Sequence, residues 1–132
     1  IFLMHSAAIS WSSKKQASVA LSTCEAEIVA ASEACKEVVH VGGLTGELGE
    51  HDGSAIDLFV DNKSAIDLAY NPEHHQRTKH INRRHFYVRE LVEDLTIRVP
   101  FVASADNLAD FFTKPLPAKS FIPMRNLIMN VA

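Results

Sequence analysis

The chain has 132 residues, 47% of them hydrophobic, and a formal net charge of −3. That length is enough for one compact domain with a real core and short for two domains of ordinary size. No run of about 18 apolar residues is present to span a bilayer, and Ile1 to Met4 is too short for a signal-peptide core, so the expected protein is soluble and intracellular, cytoplasmic or nuclear, with no targeting signal.

In chain order, the short apolar segments Ile1 to Met4 and Ala8 to Trp11, separated by His5-Ser6-Ala7, predict an antiparallel hairpin. Leu21, Cys24, Ile28, Ala31, Cys35 and Val38 recur at intervals of three and four, which predicts a helix from about Ser22 to Val39, ended or kinked at Gly42-Gly43. Ile56 to Val60 is almost wholly apolar and bounded by turn residues, the pattern of a strand covered on both faces. Asn62 is placed to cap a short helix that Asn71-Pro72 stops. Ile81, His85, Val88, Val92 and Leu95 mark one face of a second long helix, Lys79 to Asp94, whose other face is basic. Thr96 to Val102 alternates as a strand, and Pro100 favours a sheet edge. The last helices are expected near Asp106 to Phe112 and Phe121 to Met129. Strands first, then strands alternating with helices, argue for an α/β fold, a mixed sheet with helices packed on it.

Several residues carry chemistry. Asp61 stands where the apolar strand gives way to a helix, the place where open α/β sheets bind ligands, although an Asp-Asn pair is also an ordinary turn former. Ser22-x-x-Glu25 is a capping box, so Glu25 has a structural task. Glu27 has no such task; it lies on the rim of the apolar stripe, where a metal ligand and a solvated carboxylate fit equally. Asp110 sits beside Ala109 and Phe111-Phe112, where an unpaired carboxylate is costly, so it requires a cation, a metal or a capping role. Asp106 suits an N-cap or an outer-shell acceptor. Lys79, Arg83 and Arg84 crowd like charges on one helix, which a polyanion would relieve. Trp11 and Phe86-Tyr87 offer rings to bases, with core packing the favoured use. Cys24 and Cys35 are eleven residues apart on one helix, roughly 16 Å, too far to pair. His74, His75, His80 and His85 invite a zinc reading, which the absence of a CxxC pair and the apolar setting of His85 disfavour. No serine lies in a nucleophile motif.

Five strings in order, ISWSSKKQ from Ile9, STCEAE from Ser22, VDNKSA from Val60, RTKHINRRHFYVRE from Arg77 and ADFFTKPL from Ala109, are spread along nearly the whole chain. Together they resemble the ribonuclease H domain that closes the polyprotein of copia-type retrotransposons. The resemblance implies a ribonuclease H-like mixed sheet with flanking helices over residues 1–132, with 116–132 as its C-terminal helical tail. It implies hydrolysis of RNA in RNA–DNA hybrids with two Mg²⁺ ions (Mn²⁺ as a substitute), held by Glu27, Asp61 and Asp110. Lys79, His80, Arg83 and Arg84 are then the expected nucleic-acid contacts, by shape and phosphate and not by base sequence. The family carries four acids, and the strand of the first is expected before Ile1. The loop histidine that many cellular relatives place before the last aspartate has no counterpart between Val99 and Asp110.

Two functions follow from these readings. One is a ribonuclease H domain of a reverse transcriptase, inactive as an isolated fragment, with an upstream polymerase segment or a partner chain covering the missing strand. The other is a catalytically retired retroelement module that serves as a binding or structural subunit of a larger assembly.

Overall fold

The computed structural model describes residues 1–17, 19–71 and 79–131, with the side chains of 79–82 left aside. Two compact units emerge: Ile1–Ala17 with Ala103–Ala132, and Ser18–Val102.

In the first unit, β1 (Phe2–Met4) pairs antiparallel with β2 (Ala7–Ser10), with Met4 opposite Ala7. The two residues of the turn, His5 and Ser6, both have positive φ, 49° and 64°. A turn of that hand matches the twist of the paired strands, and here it forms without the glycine it prefers. A 3₁₀ turn (Ser104–Asp106), α4 (Asp110–Thr113) and α5 (Ala118–Met129) complete the unit. Met124 and Ile128 of α5 are buried, and α5 packs on β2. The Phe111 and Phe121 rings stack at 4.8 Å, joining α4 to α5.

In the second unit, α1 (Thr23–Glu47) packs against α2 (Lys63–Tyr70) and α3 (Lys79–Glu93). Ile28, Cys35 and Val38 of α1, Val88 of α3 and Ile97 are its most deeply buried side chains. Each aliphatic among them is worth about 1.5–3 kcal/mol of transfer free energy. β3 (Ile56–Asp57) runs parallel to β4 (Ile97–Arg98), with Asp57 opposite Arg98 and their side chains ion-paired at 2.8 Å. Backbone pairing continues past these strands, from Leu58 N–H to the Arg98 carbonyl and from Val60 N–H to the Pro100 carbonyl.

The α/β class expected from the sequence is present, and the hairpin, both long helices and the Asn62-capped helix form where predicted. Other expectations are corrected. The strands described here make two two-stranded ladders, one antiparallel and one parallel. Helix α1 runs through Gly42-Gly43 and ends five residues later, where Gly49, at φ 76°, takes the left-handed conformation and Glu50 N–H closes on the Thr45 carbonyl. The left-handed position that ends a helix belongs to Gly49. Gly42 instead lets the helix approach β3, since a Cβ there would lie 2.9 Å from Ile56 Cδ1. The segment after Ile56 is covered on one face only: Val60 is buried while Asp57 and Phe59 are exposed. α5 begins at Ala118, earlier than Phe121, which puts Pro123 inside it.

Candidate functional site

Asp61 is the first residue beyond the parallel pairing. The Val60 N–H is bonded to Pro100 and the Val60 carbonyl accepts from Val102 N–H at 3.0 Å, so the backbone leading into Asp61 is held from both sides. Asn62 follows as N-cap, its Oδ1 accepting from Ala65 N–H at 3.1 Å. The half-buried Asp61 carboxylate is thus carried at the C-terminal end of a parallel strand pair, next to a helix start. The capping task of the Asp-Asn pair thus falls to Asn62.

The two glutamates in the first turns of α1, Glu25 and Glu27, separate in the same way. Glu25 N–H donates to Ser22 Oγ at 3.1 Å, and its own Oε2 accepts from the Leu21 N–H at 2.8 Å, one residue upstream of the usual capping-box target. Glu25 is buried. Glu27 is half-buried on the same helix. Burial and then the negative charge of Glu27 push the Cys24 thiol above its ordinary pKa, so the Glu27 carboxylate acts on its surroundings at close range.

Asp110 opens α4 in the other unit, its carboxylate only 15% exposed and 2.8 Å from Lys114 Nζ. The cation that its apolar setting demanded is Lys114. Asp106 is exposed and does not cap; the acceptor at this turn is Asn107 Oδ1, which takes the Ala109 N–H at 3.1 Å. Asp61 and Glu27 belong to one unit and Asp110 to the other. Among the described residues, no three His, Cys, Asp or Glu side chains are grouped to hold a metal ion.

On α3, Arg83 is exposed and Arg84 half-buried, so the helix turns one of the neighbouring arginines partly inward. The side chains of Lys79 and His80 lie outside the described residues, as do His74 and His75. Arg89 is engaged with Glu93 at 3.0 Å, and its guanidinium lies 5.4 Å from the Phe86 ring centre. His85 is a satisfied core histidine, its Nε2 2.6 Å from the Leu68 carbonyl oxygen. Both cysteines are free thiols, and burial pushes Cys35 up to about 12. Core packing does not hold for two of the rings: Trp11 is 61% exposed and Phe86 43%. Hydropathy alone had no signal for this, because an exposed ring and a buried one read alike in a sequence.

No family model and no solved structure matches the chain. Curated relatives do. The Retrovirus-related Pol polyprotein from transposon TNT 1-94 of Nicotiana tabacum is 41% identical over 128 residues, 97% of this chain and 10% of that protein. The corresponding polyprotein from transposon RE2 of Arabidopsis thaliana is 38% identical over 113 residues, 86% of the chain and 8% of the relative. The Transposon Ty1-DR5 Gag-Pol polyprotein of Saccharomyces cerevisiae is 31% identical over 127 residues, 96% of the chain and 7% of the relative. The chain therefore spans a tenth or less of the length of these relatives. Its homologues are retrotransposon Pol polyproteins, and the region they share with it extends over nearly its whole sequence.

Proposed function

We propose that this chain is the ribonuclease H-like part of a retrotransposon reverse transcriptase, hydrolysing the RNA strand of RNA–DNA hybrids. The observation that carries the reading is Asp61, presented past the C-terminal end of the parallel pair with Asn62 taking over the capping task. Glu27 and Asp110 supply two further carboxylates, one beside the α1 cap and one at the start of α4. Each donor is a hard oxygen of the kind that suits Mg²⁺, with Glu27 and Asp61 the proposed ligands in one unit and Asp110 the proposed ligand in the other. When bound, such ions supply an activated water and charge stabilisation of the leaving oxygen. The chain's own residues position the site: Val60 and Pro100 fix the backbone at Asp61, Lys114 pairs with the Asp110 carboxylate in its apolar setting, and exposed Arg83 is available to phosphate.

The test is hybrid cleavage by a polypeptide that carries this chain together with an upstream aspartate-bearing strand. Asp61→Asn is nearly isosteric and removes one charge, so it should abolish Mg²⁺-dependent cleavage while leaving the circular dichroism spectrum unchanged. An undiminished rate removes Asp61 from the site. The Asp110–Lys114 ion pair favours a second reading, a retired module in which lysine has taken the place of metal. Lys114→Met then decides: faster or Mg²⁺-tighter cleavage supports the enzyme, whereas absence of cleavage in both proteins supports the module.

A further inference from the structure

The formal charge of −3 is divided unevenly between the two units. In the unit of Ile1–Ala17 and Ala103–Ala132, Lys14, Lys15, Lys114, Lys119 and Arg125 stand against Asp106 and Asp110, which leaves +3. The other unit holds the remaining eight cations and fourteen acids, which leaves −6. The net positive surface therefore belongs to the unit that lacks the arginine-rich helix.

That unit also carries the only tryptophan of the chain, Trp11, 61% exposed. Its indole lies over the Phe112 ring at 6.3 Å between centres and 15° between planes. Two residues on, Ser13 Oγ donates to the Phe112 carbonyl at 2.9 Å, tying this segment to α4. Lys14 and Lys15 follow, both exposed. A ring held flat by a neighbouring ring and left open to solvent, with two cations next in the chain, is the combination that binds polynucleotide strands: bases stack on the ring and phosphates meet the cations.

We propose that Trp11 to Lys15 forms a ledge for single-stranded nucleic acid, with Trp11 as the stacking plate for an unpaired base and Lys14 and Lys15 as phosphate contacts. Bases inside a duplex already stack on each other, so the plate selects strand that has left the hybrid or has not yet paired. The inference rests on the nucleic-acid part of the proposed function and is independent of hydrolysis.

Because Trp11 is the only tryptophan, its fluorescence reports the ledge directly. The 132-residue chain is titrated with a thymidylate 20-mer in EDTA at several salt concentrations. Saturable quenching is expected. Trp11→Leu should weaken binding about 5- to 150-fold, the range for loss of one stacked base, and Trp11→Phe should restore most of it. Lys14→Ala and Lys15→Ala should each lower the salt slope by about 0.7. Equal affinity for parent and Trp11→Leu overturns the ledge, as does stronger quenching by a blunt hybrid duplex than by the single strand. Quenching by phosphatidylserine vesicles but not by the oligonucleotide also overturns it, in favour of a membrane surface. If Trp11→Leu does not fold, acrylamide decides: oligonucleotide protection of Trp11 supports the proposal and its absence ends it. Asp61→Asn should leave the quenching intact, so failure of cleavage and failure of the ledge are separately visible.

Discussion

The imidazole Nε2 of His85 lies 2.6 Å from the carbonyl oxygen of Leu68, joining the middle of α3 to the last turn of α2. The last four carbonyls of a helix have no partner within it, and Leu68 is one of these. The buried histidine fills that vacancy, so its ring packs as core while its nitrogen closes a helix end.

His85→Leu keeps the apolar contact and removes the donor. The partly buried Leu68 carbonyl then loses its partner, and stability should fall by about 1 kcal/mol in chemical denaturation. No loss of stability shows that water replaces the histidine.

At the end of α3, Leu95 has φ 57° and is 72% exposed. Its N–H donates to the Val92 carbonyl and Thr96 N–H donates to that of Leu91, the double bond pattern that ends helices with a left-handed residue. Leucine is strained there by about 1 kcal/mol and buries little in return. Leu95→Gly should raise the melting temperature despite the loss of an apolar side chain. A lower one shows that the leucine makes a contact worth more than the strain.

The thiols report on α1. Cys35 is buried with its pKa pushed up to about 12, whereas Cys24 is half-buried and raised by burial and by Glu27. Cys24 should react first with iodoacetamide at pH 8 and Cys35 only on unfolding. Glu27→Gln removes the charge that raises Cys24 and should speed its labelling. Between pH 9 and about 12 the unfolded chain releases the Cys35 proton that the folded chain keeps, so this thiol lowers stability as pH rises through that window. Equal labelling of the two cysteines in the native protein contradicts the burial of Cys35.

Arg83 is exposed on α3 and Arg84 half-buried. Arg83→Ala should flatten the salt dependence of hybrid binding by about 0.7–0.9, equally for all base sequences, and Arg84→Ala should do so less. A change that depends on base sequence argues against backbone contact.

Local chemistry was legible in the sequence alone. The Ser22 and Asn62 caps, the hairpin and the apolar faces of α1 and α3 depend on neighbours within a few residues, and these stand where the spacing placed them. The separation of Glu25 from Glu27 was readable for the same reason. Relations between distant segments were decided by the tertiary structure. Gly42 could not be told from Gly49 as the helix end until Ile56 lay against it. Ile56 to Val60 looked covered on both faces because periodicity records side-chain polarity, while coverage depends on what packs above and below. The division of charge between the units, and the exposure of Trp11 over Phe112, arise from residues about a hundred positions apart that chain folding alone brings together.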